Sequence, residues 1–263
     1  PEPRAVQLIG TEPDELAEAA IWQVSQGAQI IDLNMGCPAK KVCSVAAGSA
    51  LMGDPERVSA IFDALVSAVN IPITVKMRTG LDSHHKNAVQ MAEMAQHHGL
   101  QAVTIHGRTR ADKFQGCAEY DTIKAVKQAI DLPIIANGDI CTPKQAQFVL
   151  KYTTADAIMI GRATQGYPWI FREVNHYLKT GEKLPPPALN EMYETIHQHI
   201  SGVHQLYGEV LGPRIARKHI GWYGQHLPHG EQLRKSFNHL SEPSAQIDLI
   251  NHYFDALGIV TPK

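Results

Sequence analysis

Aromatic residues make up only 6% of the 263 residues, cysteines number four, and no apolar stretch nears the roughly 18 residues of a membrane span. Cys37, Cys43, Cys117 and Cys141 form no Cys-x-x-Cys pair and no Cys/His spacing typical of zinc. A disulfide framework and a zinc module are thereby excluded, no metal is expected, and a reducing cytoplasm is the expected home. Charge of one sign is lacking too: 24 Lys and Arg against 26 Asp and Glu leave a net charge of −2. If a polyanion is bound, a local cluster must hold it. The opening residues show no basic, then apolar, then small-residue pattern, and no membrane association is expected. What is there is 44% hydrophobic side chains, enough for a substantial core.

Short apolar runs rich in β-branched residues recur along the first two-thirds of the chain and read as six strands: Ala5–Ile9, Gln29–Asn34, Ile73–Arg78, Ala102–His106, Pro133–Asn137 and Ala157–Ile160. Their spacing suits repeated βα units. Helix-start signals lie between them, at Thr11-Glu12-Pro13-Asp14, Asp54-Pro55-Glu56 and Thr142-Pro143, and Gly27 and Gly99 stand where helices should stop. Polar residues sit at the C-terminal ends of nearly all the strands. An open doubly wound sheet gathers its site at one switch point, whereas a barrel gathers it from every strand, so the pattern predicts an α/β protein with a (β/α)8 TIM barrel. Six units are not eight, and the chain does not begin with Met. Two units, on the order of 55 residues at this spacing, are expected upstream if the barrel is complete. The predicted domains are an N-terminally incomplete catalytic barrel over 1–180 and, after the proline-rich 181–187, a small all-helical domain over 181–263. Within the latter, Gly212-Pro213, Pro228-His229-Gly230 and Glu242-Pro243 are expected to separate the helices.

Asn34-Met35-Gly36-Cys37-Pro38 is the most informative segment. A lone Cys is commonly a small buried hydrophobe, but this one follows a strand end at the catalytic face of the expected barrel, and the stretch from Ala39 to Gly53 is long enough to cover the mouth as a lid. A thiol there can be a nucleophile or a proton donor, and with no partner His evident the acid role is favoured. Lys76 is either a snorkelling lysine or a cation for an anionic cofactor ring or phosphate. His106 is a core histidine or the start of a basic loop with Arg108 and Arg110. Asn137-Gly138-Asp139 reads as a strand-to-helix loop, and Gly161-Arg162 as the last such loop, where barrels frequently bind phosphate. Arg214, Arg217 and Lys218 share one helix face ahead of Trp222 and Tyr223, either as a solvated face or as phosphate contacts for RNA.

Taken together, Asn34–Val42, Val75–Gly80, Thr104–Arg110, Ala136–Ile140, Met159–Ala163, Pro168–Glu173 and Arg214–His219 resemble the tRNA-dihydrouridine synthases, most closely the bacterial B type. The ordered set spans nearly the whole chain. The resemblance implies an FMN enzyme, recharged by NADPH, that reduces the C5–C6 double bond of a D-loop uridine in tRNA. Cys37 would donate the proton to C5. Gln7 and Lys76 would contact the isoalloxazine with His106 beside it, and Asn137, Gly138, Asp139, Gly161 and Arg162 would bind the ribityl phosphate end. Asn34 would contact the uracil, with Arg78, Arg108 and Arg110 touching substrate or flavin. Arg214, Arg217 and Lys218 in the helical domain would hold the tRNA at its D-loop and elbow. A monomer is expected.

The chain departs from the family where a Pro-Met-Ala type segment normally ends the first strand, so weak FMN binding or poor folding of this chain is also expected. Rival readings are a dihydroorotate-dehydrogenase-like barrel, a non-redox sugar-phosphate barrel and an RNA-binding module without catalysis.

Overall fold

A computed structural model describes residues 2–259. The chain divides into two compact units, one of the residues up to Ile140 together with Lys144–Gly161, the other of Cys141–Pro143 together with the residues from Arg162 on.

In the first unit, β1 (Ala5–Leu8), β2 (Ile30–Met35), β3 (Ile73–Arg78), β4 (Ala102–His106), β5 (Ile134–Asn137) and β6 (Ala157–Met159) form one sheet in the order 1-2-3-4-5-6. Every neighbouring pair is parallel. The crossovers carry α1 (Pro13–Ser25), α2 (Lys40–Cys43), α3 (Pro55–Ala68), α4 (Ala88–His97), α5 (Asp121–Ala129) and α6 (Pro143–Thr153). A doubly wound sheet reverses its strand order at a switch point; this one does not, which is the topology of a (β/α) barrel.

The two sheet faces differ because side chains alternate along each strand. One face carries Ile31, Leu33, Val75, Met77, Val103, Ile105, Ile134 and Ala136, each 1% exposed or less. Against it lie the apolar stripes of the helices, Leu16 and Ala20 of α1, Ile61, Phe62 and Leu65 of α3, Met91 and Ala95 of α4. In register on the opposite face stand Gln7, Asp32, Thr74 and, one step along, Asn34, Lys76 and Thr104, followed by Arg78, His106 and Asn137. Local signals end the helices: Asp54 accepts the Arg57 N–H as the N-cap of α3, and Gly27 and Gly99 take positive φ just past α1 and α4. Ser59 Oγ lies 2.9 Å from His98 Nε2, and His98 Nδ1 2.6 Å from Asp63 Oδ1. The atoms follow the order of a hydrolase triad, but the Asp63 carboxylate is 69% exposed, so this is a surface tie between α3 and the end of α4.

The second unit contains α7 (Ile170–Thr180), α8 (Leu189–Tyr223), α9 (Gly230–Asn238) and α10 (Pro243–Ala256). Met192, Ile196, Ile200, Ala216, Ile220, Phe237, Ile250 and Phe254 form its core. The break expected at Gly212-Pro213 falls instead at Gly208, where φ is 73° and ψ −175°, and Pro213 lies inside the helix that resumes. Pro213 stands near the beginning of that resumed helix, where a missing N–H costs least. Gly212 is needed for packing rather than for breaking: a Cβ there would come 2.9 Å from His204 Cα on the other arm. Gln246, fully buried, accepts the His204 Nε2–H through Oε1 at 2.8 Å and donates through Nε2 to the Pro213 and Leu240 carbonyls, so its own polar atoms are satisfied.

Candidate active site

A chain of hydrogen bonds crosses the first three strands of the polar face. Thr74 Oγ1 donates to Asp32 Oδ1 at 2.6 Å, and Gln7 Nε2 donates to Asp32 Oδ2 at 2.6 Å. Asn34 Nδ2 donates to Gln7 Oε1 at 2.7 Å, and Asn34 Oδ1 accepts the Gly36 and Cys37 N–H groups, each at 3.0 Å. An ionised carboxylate only accepts and a backbone N–H only donates, so both amides are held in one orientation from the two ends. The consequence is a fixed Cys37 backbone at the C-terminal end of β2. From the other side, Ser49 donates through both Oγ (2.8 Å) and N–H (3.0 Å) to the Cys37 carbonyl, while the thiol is half-buried. The expected lid stretch is ordered as α2 and the 3-10 segment Gly48–Gly53.

Lys76, in register with Asn34 and Thr104, lies with its Nζ 3.4 Å from Asn137 Oδ1. Burial and, next, the Arg78 guanidinium push its pKa down, and Asp32 offsets part of this. His106 is held far below its ordinary 6.5, at about 3, by burial first and then by Arg78, Lys76 and Arg108. It is a neutral imidazole at physiological pH. Its Nε2 lies 3.4 Å from Arg108 Nη1, which can only donate, so the proton sits on Nδ1.

The two arginines of the strand ends turn inward. Arg78, 1% exposed, donates through Nε to Gly36 O at 2.7 Å and through Nη1 to Thr109 O and Lys113 O, both at 2.8 Å. It thereby ties the Cys37 loop to the loop after β4, and its Nη2 remains for a ligand. Arg108, 2% exposed, uses all five N–H groups inside the protein: on Gln115 O, Gly116 O, His106 Nε2 and both carboxylate oxygens of Asp139. It has no donor left for substrate or flavin and acts by positioning Asp139 and His106. The Asp139 carboxylate, which also accepts the Ala118 N–H, is correspondingly committed. Gly138 has φ of 130°, and a Cβ there would fall 2.6 Å from Ala118 Cβ and 3.1 Å from His106 Cδ2, so only glycine lets the loop close on the histidine. Arg110 is half-buried; its N–H donates to Gly80 O. Gly161 ends the first unit and Arg162 opens the second.

Asp32, Thr74 and Ser49 had no place among the expected site residues. The alternation Asp32-Leu33-Asn34 held the signal for the first, since a buried face would not carry a carboxylate at the position two before Asn34. Ser49, twelve residues from Cys37, had none.

A sequence model of the dihydrouridine synthases matches residues 1–257. This chain belongs to the dihydrouridine synthase family. It is 52% identical over 254 residues to tRNA-dihydrouridine synthase B of Pseudomonas putida, covering 97% of this chain and 75% of that one. The identity to the protein of the same name from Yersinia pestis is 52% over 255 residues, covering 97% and 79%, and to that from Xanthomonas campestris 52% over 264 residues, covering 100% and 80%. As a dihydrouridine synthase the chain is an enzyme, of a flavin-dependent family of oxidoreductases. The dihydroorotate and sugar-phosphate readings fall away. The donor set on the polar face fits a flavin: a lysine ammonium, two carboxamides and a neutral imidazole complement the carbonyls and nitrogens of an isoalloxazine ring, with no carboxylate unpaired against it. Among the described residues, no group of three His, Cys, Asp or Glu side chains could hold a metal, and no helix is long and apolar enough to cross a membrane.

Proposed function

We propose that the protein reduces the C5–C6 double bond of a D-loop uridine in tRNA, in the cytoplasm, using FMN on the polar sheet face, NADPH as reductant and Cys37 as the proton donor. The observation that carries this is the double anchoring of Cys37: Asn34 holds its N–H and Ser49 its carbonyl. The half-buried thiol is thus presented from a fixed backbone beside the Lys76 face, where a Cβ on Gly36 would lie 3.9 Å from Lys76 Nζ.

Gln7, Lys76 and His106 would hold the isoalloxazine, and Asn137, Gly138 and Gly161 the phosphate end. When bound, the reduced flavin would supply a hydride to C6, and NADPH would restore it. Cys37 adds the proton at C5 and recovers one from solvent. Neutral His106 donates through Nδ1 without adding positive charge next to Lys76. Arg78 keeps the Cys37 loop against the loop after β4. Arg214, Arg217 and Lys218 meet phosphates of the tRNA body.

The test supplies the enzyme with FMN, NADPH and an unmodified tRNA transcript and measures dihydrouridine by mass spectrometry. Wild type forms it, and C37A loses on the order of 100- to 10,000-fold in kcat while keeping its flavin spectrum. Full activity in C37A would remove the acid role from Cys37; absence of any flavin from active enzyme would remove the cofactor.

A further inference from the structure

The helical unit carries two clefts that share one side chain. The first, of about 500 Å³, is lined by Thr195, Gln198, His199, His219, Trp222 and Tyr223. The second, of about 510 Å³, is lined by Arg217, Lys218, Trp222, Gln225, Glu231 and Arg234 among others. Trp222 belongs to both. Gly166, at φ of 73°, lets the chain pass against α8 where a Cβ would fall 2.4 Å from the Trp222 carbonyl carbon, and it lines the first cleft.

Their chemistry differs in a way that matches the two halves of a nucleotide. The first offers rings and neutral polar edges. His219 packs edge-on to Trp222 at 5.3 Å between centroids and to His199 at 4.6 Å, and His199 Nδ1 bonds the Tyr223 hydroxyl at 2.9 Å. Burial lowers the pKa of both histidines, which favours their uncharged forms. The second offers cations. Arg234 is forked to Glu231, whereas Lys218 pairs with no carboxylate among the described residues and stands 4.8 Å from the centre of the Trp222 ring. Unpaired bases are read by stacking and by hydrogen bonds along their edges, while a base inside an A-form duplex exposes neither its face nor its major-groove edge to a side chain.

We infer that this unit holds one unpaired nucleotide of the RNA substrate, its base against His219 and Trp222 in the first cleft and its phosphate at Lys218 and Arg217 in the second. The inference rests on the proposed tRNA reading and adds a second nucleotide site, distinct from that of the reacting uridine.

The experiment measures binding of an unmodified tRNA transcript to the full chain by filter retention at fixed salt, for wild type, W222F, W222L and K218Q, each first checked for an unchanged unfolding temperature. W222L binds about tenfold more weakly, the scale of one lost base stack, and W222F keeps most of the affinity because its ring survives. K218Q lowers the slope of log affinity against log salt by about one. On a fully paired RNA duplex of equal length W222L binds as wild type does. Unchanged tRNA affinity in W222L, an equal loss in W222F, or an equal loss on the duplex overturns the inference. These readouts need no turnover, so a failure of the synthase reading shows separately, as absence of dihydrouridine from wild type.

Discussion

The strand unit and the helical unit both use arginine and lysine, with opposite outcomes. Arg78 and Arg108 are 1% and 2% exposed and direct their N–H groups to carbonyls and a carboxylate of their own chain. Arg214 and Lys218 lie on the surface, and Arg217, half-buried, donates to Leu240 O at 3.0 Å while still lining a cleft. In the first unit the two arginines join loops and, after burial, help to hold His106 neutral. In the second the cations are open to a partner. A motif of basic residues therefore says little about ligand contact until its partners are known.

The sharpest break of this contrast is R78M. A fully buried side chain and three hydrogen bonds, to the Gly36, Thr109 and Lys113 carbonyls, are lost at once, and stability should fall by about 3 kcal/mol, read by denaturant unfolding. The same measurement on R214M should change by less than about 0.5 kcal/mol. Equal effects would mean that the two sets of cations do the same work. Next is pH. His106 binds its proton at about 3 when folded and near 6.5 when unfolded, so the unfolded chain holds the extra proton between those values. Stability is complete above about 6.5 and falls as pH drops through that window. His199, His219 and His226, also lowered by burial, add slope of the same sign, so the quantity to compare is wild type against H106N between pH 7 and 5, where H106N should be flatter. The smallest effect is R214A on tRNA binding: a few-fold weaker affinity and a salt slope reduced by about one, with no change in unfolding temperature.

Much of the strand unit was legible in advance. All six strands lie where apolar β-branched runs placed them, and β3 and β4 have the expected ends; the others differ by a residue or so where ladder hydrogen bonds, not side-chain type, set the limit. Cys37, Asn34, Lys76, His106 and Asn137 were visible because each lies within two residues of the C-terminal end of a strand, where a barrel builds its site. The helical unit was less legible. Gly212-Pro213 looks like a break, yet the chain bends at Gly208, since Gly212 is required by the close approach to His204 and Pro213 falls near a helix start.

By itself the sequence determined which residues share a face, because a period of two along a strand and of 3.6 along a helix needs no knowledge of the neighbours. It also determined which reactive groups are available. Only the tertiary structure decided what those groups are bonded to. Arg78 meets Gly36 O across 42 residues and Arg108 meets Asp139 across 31. Gln7 reaches Asn34 across 27. No local pattern encodes such pairs, because they exist only once parallel strands far apart in the chain lie side by side in register.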